Sequence, residues 1–267
     1  MKIKIVILGL LILLVFVGQL NTSRKISINY EVTKYELPLY VKILDFINRH
    51  NNYKFLTKSI NNDKLSDKEK IIYLTNWVNL NIKKIEINQN IDIVDNHPIT
   101  IIERRLAIDE QFSDILSVLL VYSDIDSFFK FLKTGKLTET YPLTFFKINN
   151  YWSIIDPQYG VFFVDEKNNF IDITNLKDEN WDLVDTKFQS INKDNHYNYY
   201  KNRFNEFKEI KLFYSQIFLN TPTTIQINSI NKFKRGGRSY VQDPLGRLNY
   251  EIFKFYNTLI EKIIQIY

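Results

Sequence analysis

The 267 residues are 45% hydrophobic, enough for one large domain or two small ones with a real core, which excludes a disordered chain. The 35 basic and 30 acidic residues are interspersed along most of the length, which excludes a concentrated nucleic-acid footprint despite the net charge of +5. The chain contains no cysteine, so disulfides, thiolate metal sites and a cysteine nucleophile are all excluded; its three histidines, His50, His97 and His196, have no zinc-binding spacing, and no metal or cofactor is expected.

Residues 5–18 form an unbroken apolar run preceded by Lys2 and Lys4, the pattern of a secretory or membrane signal. As a helix the run spans about 21 Å, short of the roughly 30 Å hydrocarbon core, which favours a cleaved signal peptide. The opposite indication is that no small-x-small cleavage site follows, since Phe16 lies two residues before Gly18. The reading adopted is an anchor over residues 1–20 with the N-terminus inside and the body outside the cytoplasm; secretion is the alternative if the leader is cleaved.

Residues 21–60 read as a linker and N-terminal extension, polar and β-leaning to about residue 37, with Pro38 marking a turn. Ser66 to Glu69 is a capping box, and Ile71, Leu74, Val78, Ile82 and Ile85 follow at helical spacing, predicting a helix over 67–85. A polar loop over 88–98 precedes a second stripe, Ile108, Phe112, Ile115, Leu116, Leu119 and Leu120, which predicts a buried helix. The period then becomes that of strands: 143–148, an Asn149-Asn150 turn suited to positive φ, and 151–155 form an expected hairpin. Residues 161–164 and 170–173 read as further strands. Aromatic-rich helices are expected over 199–218 and 249–266, with a Gly-rich loop over 234–238 between them. The divisions are therefore 1–20, 21–60, 61–180 and 181–267.

The succession of helix, loop, buried helix, hairpin and Asp156-Pro157 resembles the core of the transglutaminase-like superfamily, over roughly residues 67–164. The resemblance implies an α+β, papain-like fold with an antiparallel sheet packed on the buried helix. In that family an Arg-Gly-x-Gly-x-Cys-Asp-Gln-type segment places a nucleophilic cysteine at the helix N-terminus, where the helix dipole lowers the thiol pKa. The matching stretch here, Arg105 to Asp114, puts Asp109 at the cysteine position. The second motif, a histidine on the first hairpin strand and Trp-x-x-x-Asp-Pro on the next, matches Trp152 and Asp156, but the histidine position falls on or beside Tyr141.

Acyl transfer of that kind needs a thiolate, a histidine to move its proton and an acid to orient the histidine. Only the acid position is retained, so the resemblance implies a degenerate site with no catalytic residue, in which Asp109, Tyr141, Trp152 and Asp156 are candidate ligand-binding residues. Each also has a plain structural role: Asp109 as a first-turn acid, Asp156 as a strand end, Tyr141 as a cleft wall and Trp152 as core. Ser113 with His97 is a poor substitute pair, because no nucleophile elbow surrounds Ser113. The expected function is a membrane-associated binding or scaffolding module of the cell envelope, with a protein, peptide or glycan ligand. The alternative is a hydrolase using Asp109 and Asp156 as paired carboxylates.

Overall fold

The computed structural model describes residues 18–28, 31–61, 64–85, 97–133, 140–178 and 181–187, and the single positions 7, 9, 15, 189 and 200. These residues form an α+β structure with an antiparallel five-stranded sheet. The helices expected over 199–218 and 249–266, the loop over 234–238 and most of the apolar leader lie outside them. No helix among the described residues is long and apolar enough to cross a membrane.

A hairpin comes first. Strands β1 (Asn21–Ile28) and β2 (Glu31–Pro38) pair antiparallel from Asn21 opposite Pro38 to Ile28 opposite Glu31. Pro38 then occupies the N-cap of helix α1 (Leu39–Ile60), a position that tolerates its missing N–H, and the Leu39 N–H donates to the Leu20 carbonyl at 2.8 Å. The extension is thus largely helical, and it adds Phe46 and Tyr53 to the buried residues.

Helix α2 (Asp67–Asn81) has the expected capping box: the Ser66 N–H donates to Glu69 Oε2 at 2.8 Å, and the Glu69 N–H donates to Ser66 Oγ at 3.3 Å. It ends four residues earlier than its apolar spacing suggests, because Lys83 and Lys84 leave the helix as strand β3 (Lys83–Lys84), pairing parallel with β4 (Leu106–Ala107). Ile82 and Ile85 stay buried beside that pairing. Between β3 and β4, helix α3 (Pro98–Arg104) begins with proline at its first position, where the missing N–H costs nothing, and is closed by Arg105 in the left-handed region at φ 57°.

Helix α4 (Asp109–Val121) is the predicted buried helix: Phe112, Ile115, Leu116, Leu119 and Leu120 are all shielded from water. At about 1.5–3 kcal/mol for each large apolar side chain, this stripe is a main source of core stability. The sheet runs in chain order, β5 (Ser127–Lys133), β6 (Thr140–Ile148), β7 (Tyr151–Asp156), β8 (Val161–Val164) and β9 (Asp182–Val184). Asn149 and Asn150 sit at φ 48° and 69°, the two positive values that the hairpin between β6 and β7 requires. The expected strand over 170–173 is reduced to one bridge, Phe170 with Val164, since Ile173 already starts a 3-10 turn (Ile173–Asp178).

Side chains alternate across the sheet. Phe146, Ile155, Phe162 and Val184 pack with the helices, while Leu143, Phe145, Ile154 and Phe163 face a second core containing Ile173, Leu176, Trp181 and Tyr200. Both faces are covered, so the strands read as nearly continuous apolar runs.

Candidate functional site

The N-terminus of α4 and the turn after β7 meet at a polar junction. Helix α4 is held open there by Gln111, whose Oε1 accepts from the Ile108 N–H at 3.1 Å and from the Arg104 guanidinium at 2.9 Å. Ile108 has no side-chain acceptor for the first turn, so this reach-back is half of a capping box. Asp109 follows as the first helical residue, exposed, with Oδ1 3.0 Å from Lys84 Nζ on β3. A carboxylate there complements the positive end of the helix dipole.

Gln158 joins this pair to the turn. With its amide nitrogen facing Asp109, it donates to Asp109 Oδ1 at 3.0 Å, while its oxygen accepts from Lys84 Nζ at 3.0 Å and from the Tyr159 hydroxyl at 3.1 Å. The opposite amide orientation would set oxygen against carboxylate and nitrogen against ammonium. The Gln158 carbonyl accepts from Asn79 Nδ2 of α2 at 3.1 Å, so α2 also fixes the turn. Lys84, Asp109 and Tyr159 all reach water.

Asp156 lies beneath this surface. It is 2% exposed; Oδ1 accepts from the Gln158 N–H at 3.1 Å and the Tyr159 N–H at 3.4 Å, and Oδ2 accepts from the Tyr200 hydroxyl at 2.8 Å. Tyr200 belongs to the core on the sheet face opposite α4, so the Asp156 carboxylate is directed away from that helix. The turn it closes ends at Gly160, whose φ of 64° suits glycine; a Cβ there would lie 3.0 Å from Thr186 Cγ2 and 3.2 Å from Asn79 Cγ.

Of the candidates, Asp109 is therefore at the surface junction and Asp156 is a buried turn-former linked to it through one residue. Trp152 is 5% exposed and packs edge-to-face on Phe128 at 5.1 Å, which makes it core. Tyr141 is described in its backbone alone, opposite Leu132 in the β5 and β6 ladder. Ser113 is buried and donates to the Pro142 carbonyl at 3.2 Å. His97 is far from any nucleophile role: its Nδ1 accepts from the Ile99 N–H at the start of α3, and Nε2 faces the Arg49 guanidinium. Lys84, Gln158 and Tyr159 were not singled out from the sequence. The last two directly follow Asp156-Pro157, which is the one local signal that could have found them.

Among the described residues no group of three or more histidine or carboxylate side chains could hold a metal ion. The junction offers instead one cation, one carboxylate, an amide and a phenol at the surface, a set suited to hydrogen-bonding a polar ligand. No family model matches the chain, and no curated protein matches it. Among solved structures, a chain from Parabacteroides distasonis described provisionally as a protease matches with a TM-score of 0.35 and 11% identity. The match covers 61% of this chain and 33% of that one, so the chain spans about a third of that protein's length.

Proposed function

We propose that the protein is a non-catalytic, transglutaminase-like module held at a membrane by its apolar leader, which binds a peptide or a glycan of the cell envelope at the junction of Lys84, Asp109, Gln158 and Tyr159. The observation that carries this reading is the division between the two motif-matching acids: Asp109 is exposed within a hydrogen-bonded surface cluster, whereas Asp156 is buried in a structural turn. A chain without cysteine that has the helix, the hairpin and the Asp-Pro turn but not the nucleophile supports a reading in which chemistry is lost and binding is retained.

A hydrolase built on Asp109 and Asp156 is disfavoured by the same geometry. Paired-carboxylate hydrolysis needs both groups facing one open cleft about 5–9.5 Å apart. Asp156 is instead covered and engaged by Gln158, Tyr159 and Tyr200.

The test is a binding screen of the full chain in detergent or nanodiscs against envelope glycans and peptides, with wild type beside Asp109→Ala and Tyr159→Ala. Binding without turnover, weakened roughly tenfold or more by either substitution, is the expected result, since a charge-assisted hydrogen bond contributes about 1.5–3 kcal/mol. Turnover that disappears in Asp109→Ala would show an enzyme and end this reading.

A further inference from the structure

Helix α1 carries two apolar faces, and one of them has no partner among the described residues. Its inner face buries Phe46, Tyr53 and Thr57. On the opposite side Tyr40, Leu44, Ile47 and Phe55 fall within an arc of about 80° at 100° per residue, over about 22 Å of helix. Leu44 is 58% exposed and Phe55 77% exposed, values far from those of core residues.

The charges of α1 follow the same division. Its one carboxylate, Asp45, is turned to Arg49, with Oδ2 2.8 Å from a guanidinium nitrogen, and Arg49 itself is buried. Among the exposed positions of the helix the charged residues are Lys54 and Lys58, with no acid. An ordinary solvated helix face carries both signs and few large apolar side chains. Asn51 and Lys58 share the arc of the apolar side chains, and Asn48 and Ser59 are exposed near it, so the face is mixed in polarity but positive in charge. Apolar side chains with lysine as the only exposed charge fit a helix lying in a membrane interface, apolar side chains in the acyl boundary and ammonium groups among anionic headgroups.

The position of the stripe in the fold favours a lipid surface as its occupant. The apolar run over residues 5–18 is followed within two residues by Leu20, whose carbonyl accepts from the Leu39 N–H, so the chain leaves the leader beside the first turn of α1. Tyr40 and Leu44 therefore begin where the leader ends. We propose that the outward face of α1 is a second membrane contact, which seats the domain on the bilayer surface beside its anchor. The inference rests on the anchored reading of the leader.

The absence of cysteine makes the test direct, because any introduced thiol is unique. Full-length Leu44→Cys, Ile47→Cys and Phe55→Cys are labelled with an environment-sensitive fluorophore and reconstituted in phosphatidylcholine vesicles containing a minority of phosphatidylglycerol, with and without acyl-chain spin-labelled lipid. Ile7→Cys reports on the leader, and Tyr73→Cys and Leu80→Cys report on exposed apolar positions of α2. The expected result is that labels on α1 lose most of their emission to the quenching lipid while those on α2 keep theirs. Quenching at Ile7→Cys with none on α1 overturns the inference and leaves the anchor intact. No quenching at either place refutes the anchor itself, and the inference falls with it. Emission on α1 that is blue-shifted without lipid identifies a protein surface, from a second copy or the chain's own C-terminal residues, as the occupant and overturns the proposal.

Discussion

Asp114 places a pH-dependent load on the core. It lies on α4 one turn after Glu110, half-buried, and burial, followed by the charge of Glu110, pushes its carboxyl from 3.8 to about 7. Tyr53 of α1, fully buried, faces the same region, and its pKa is raised by burial and then by Asp114. Because the folded value is the higher one, the native state holds the proton more tightly than the unfolded chain. The contribution to stability is full below about pH 4 and is lost as pH rises through about 7. At about 1.4 kcal/mol per pH unit the interval amounts to on the order of 4 kcal/mol, and residual contact with water lowers it to roughly 2–4 kcal/mol. Asp114→Asn should therefore be more stable than wild type by that amount at pH 8, with the difference shrinking towards zero near pH 4. Guanidinium unfolding of the full chain in non-ionic detergent, repeated across that pH range, measures it. A difference independent of pH, or an Asn variant less stable at pH 8, would refute the assignment of a costly buried carboxylate.

Substitutions at three further sites test the local structure by the same denaturation assay. Ser66→Ala removes one half of the α2 capping box and should cost about 1 kcal/mol. Asn150→Ala, at φ 69°, should destabilise the β6 and β7 hairpin by about 1 kcal/mol, whereas Asn150→Gly should be neutral or slightly stabilising. Leu116→Ala, at the fully buried centre of α4, should cost about 2–5 kcal/mol and lower the unfolding midpoint more than either surface change.

The features legible in the sequence were those specified by short-range chemistry. Ser66 and Glu69 announce a helix start without reference to the rest of the fold, the Phe112 to Leu120 stripe has one dominant period, and two consecutive asparagines meet the φ demands of a tight turn. Helix α1 was missed because apolar residues occupy both of its faces, so no single amphipathic period stands out between Pro38 and Asn61. Strand β5 was missed because Phe128-Phe129-Lys130-Phe131 does not alternate. The candidate site was half legible. Asp109 and Asp156 were picked out by their places in the two motifs of the resemblance, Arg105 to Asp114 and Trp152 to Pro157. Their separation by burial depends on Tyr200, 44 residues beyond Asp156, and the surface partner Lys84 comes from a strand 25 residues before Asp109. Contacts of that range leave no local period or turn signal to read.

The bond between Leu20 and Leu39 also has a mechanical meaning. Under the anchoring proposed above, tension between residues 1–20 and the domain would enter the β1 and β2 hairpin at its open end, where the pairs from Asn21 with Pro38 to Ile28 with Glu31 are loaded one after another instead of together. Such a ladder peels at low force. Once peeled, the 18 residues from Asn21 to Pro38 become about 60 Å of extensible tether at about 3.4 Å per residue, so the domain can move that far while the tension stays near the low peeling force. Under that anchoring the hairpin would be a reserve of slack, and its re-pairing would draw the domain back to Leu20.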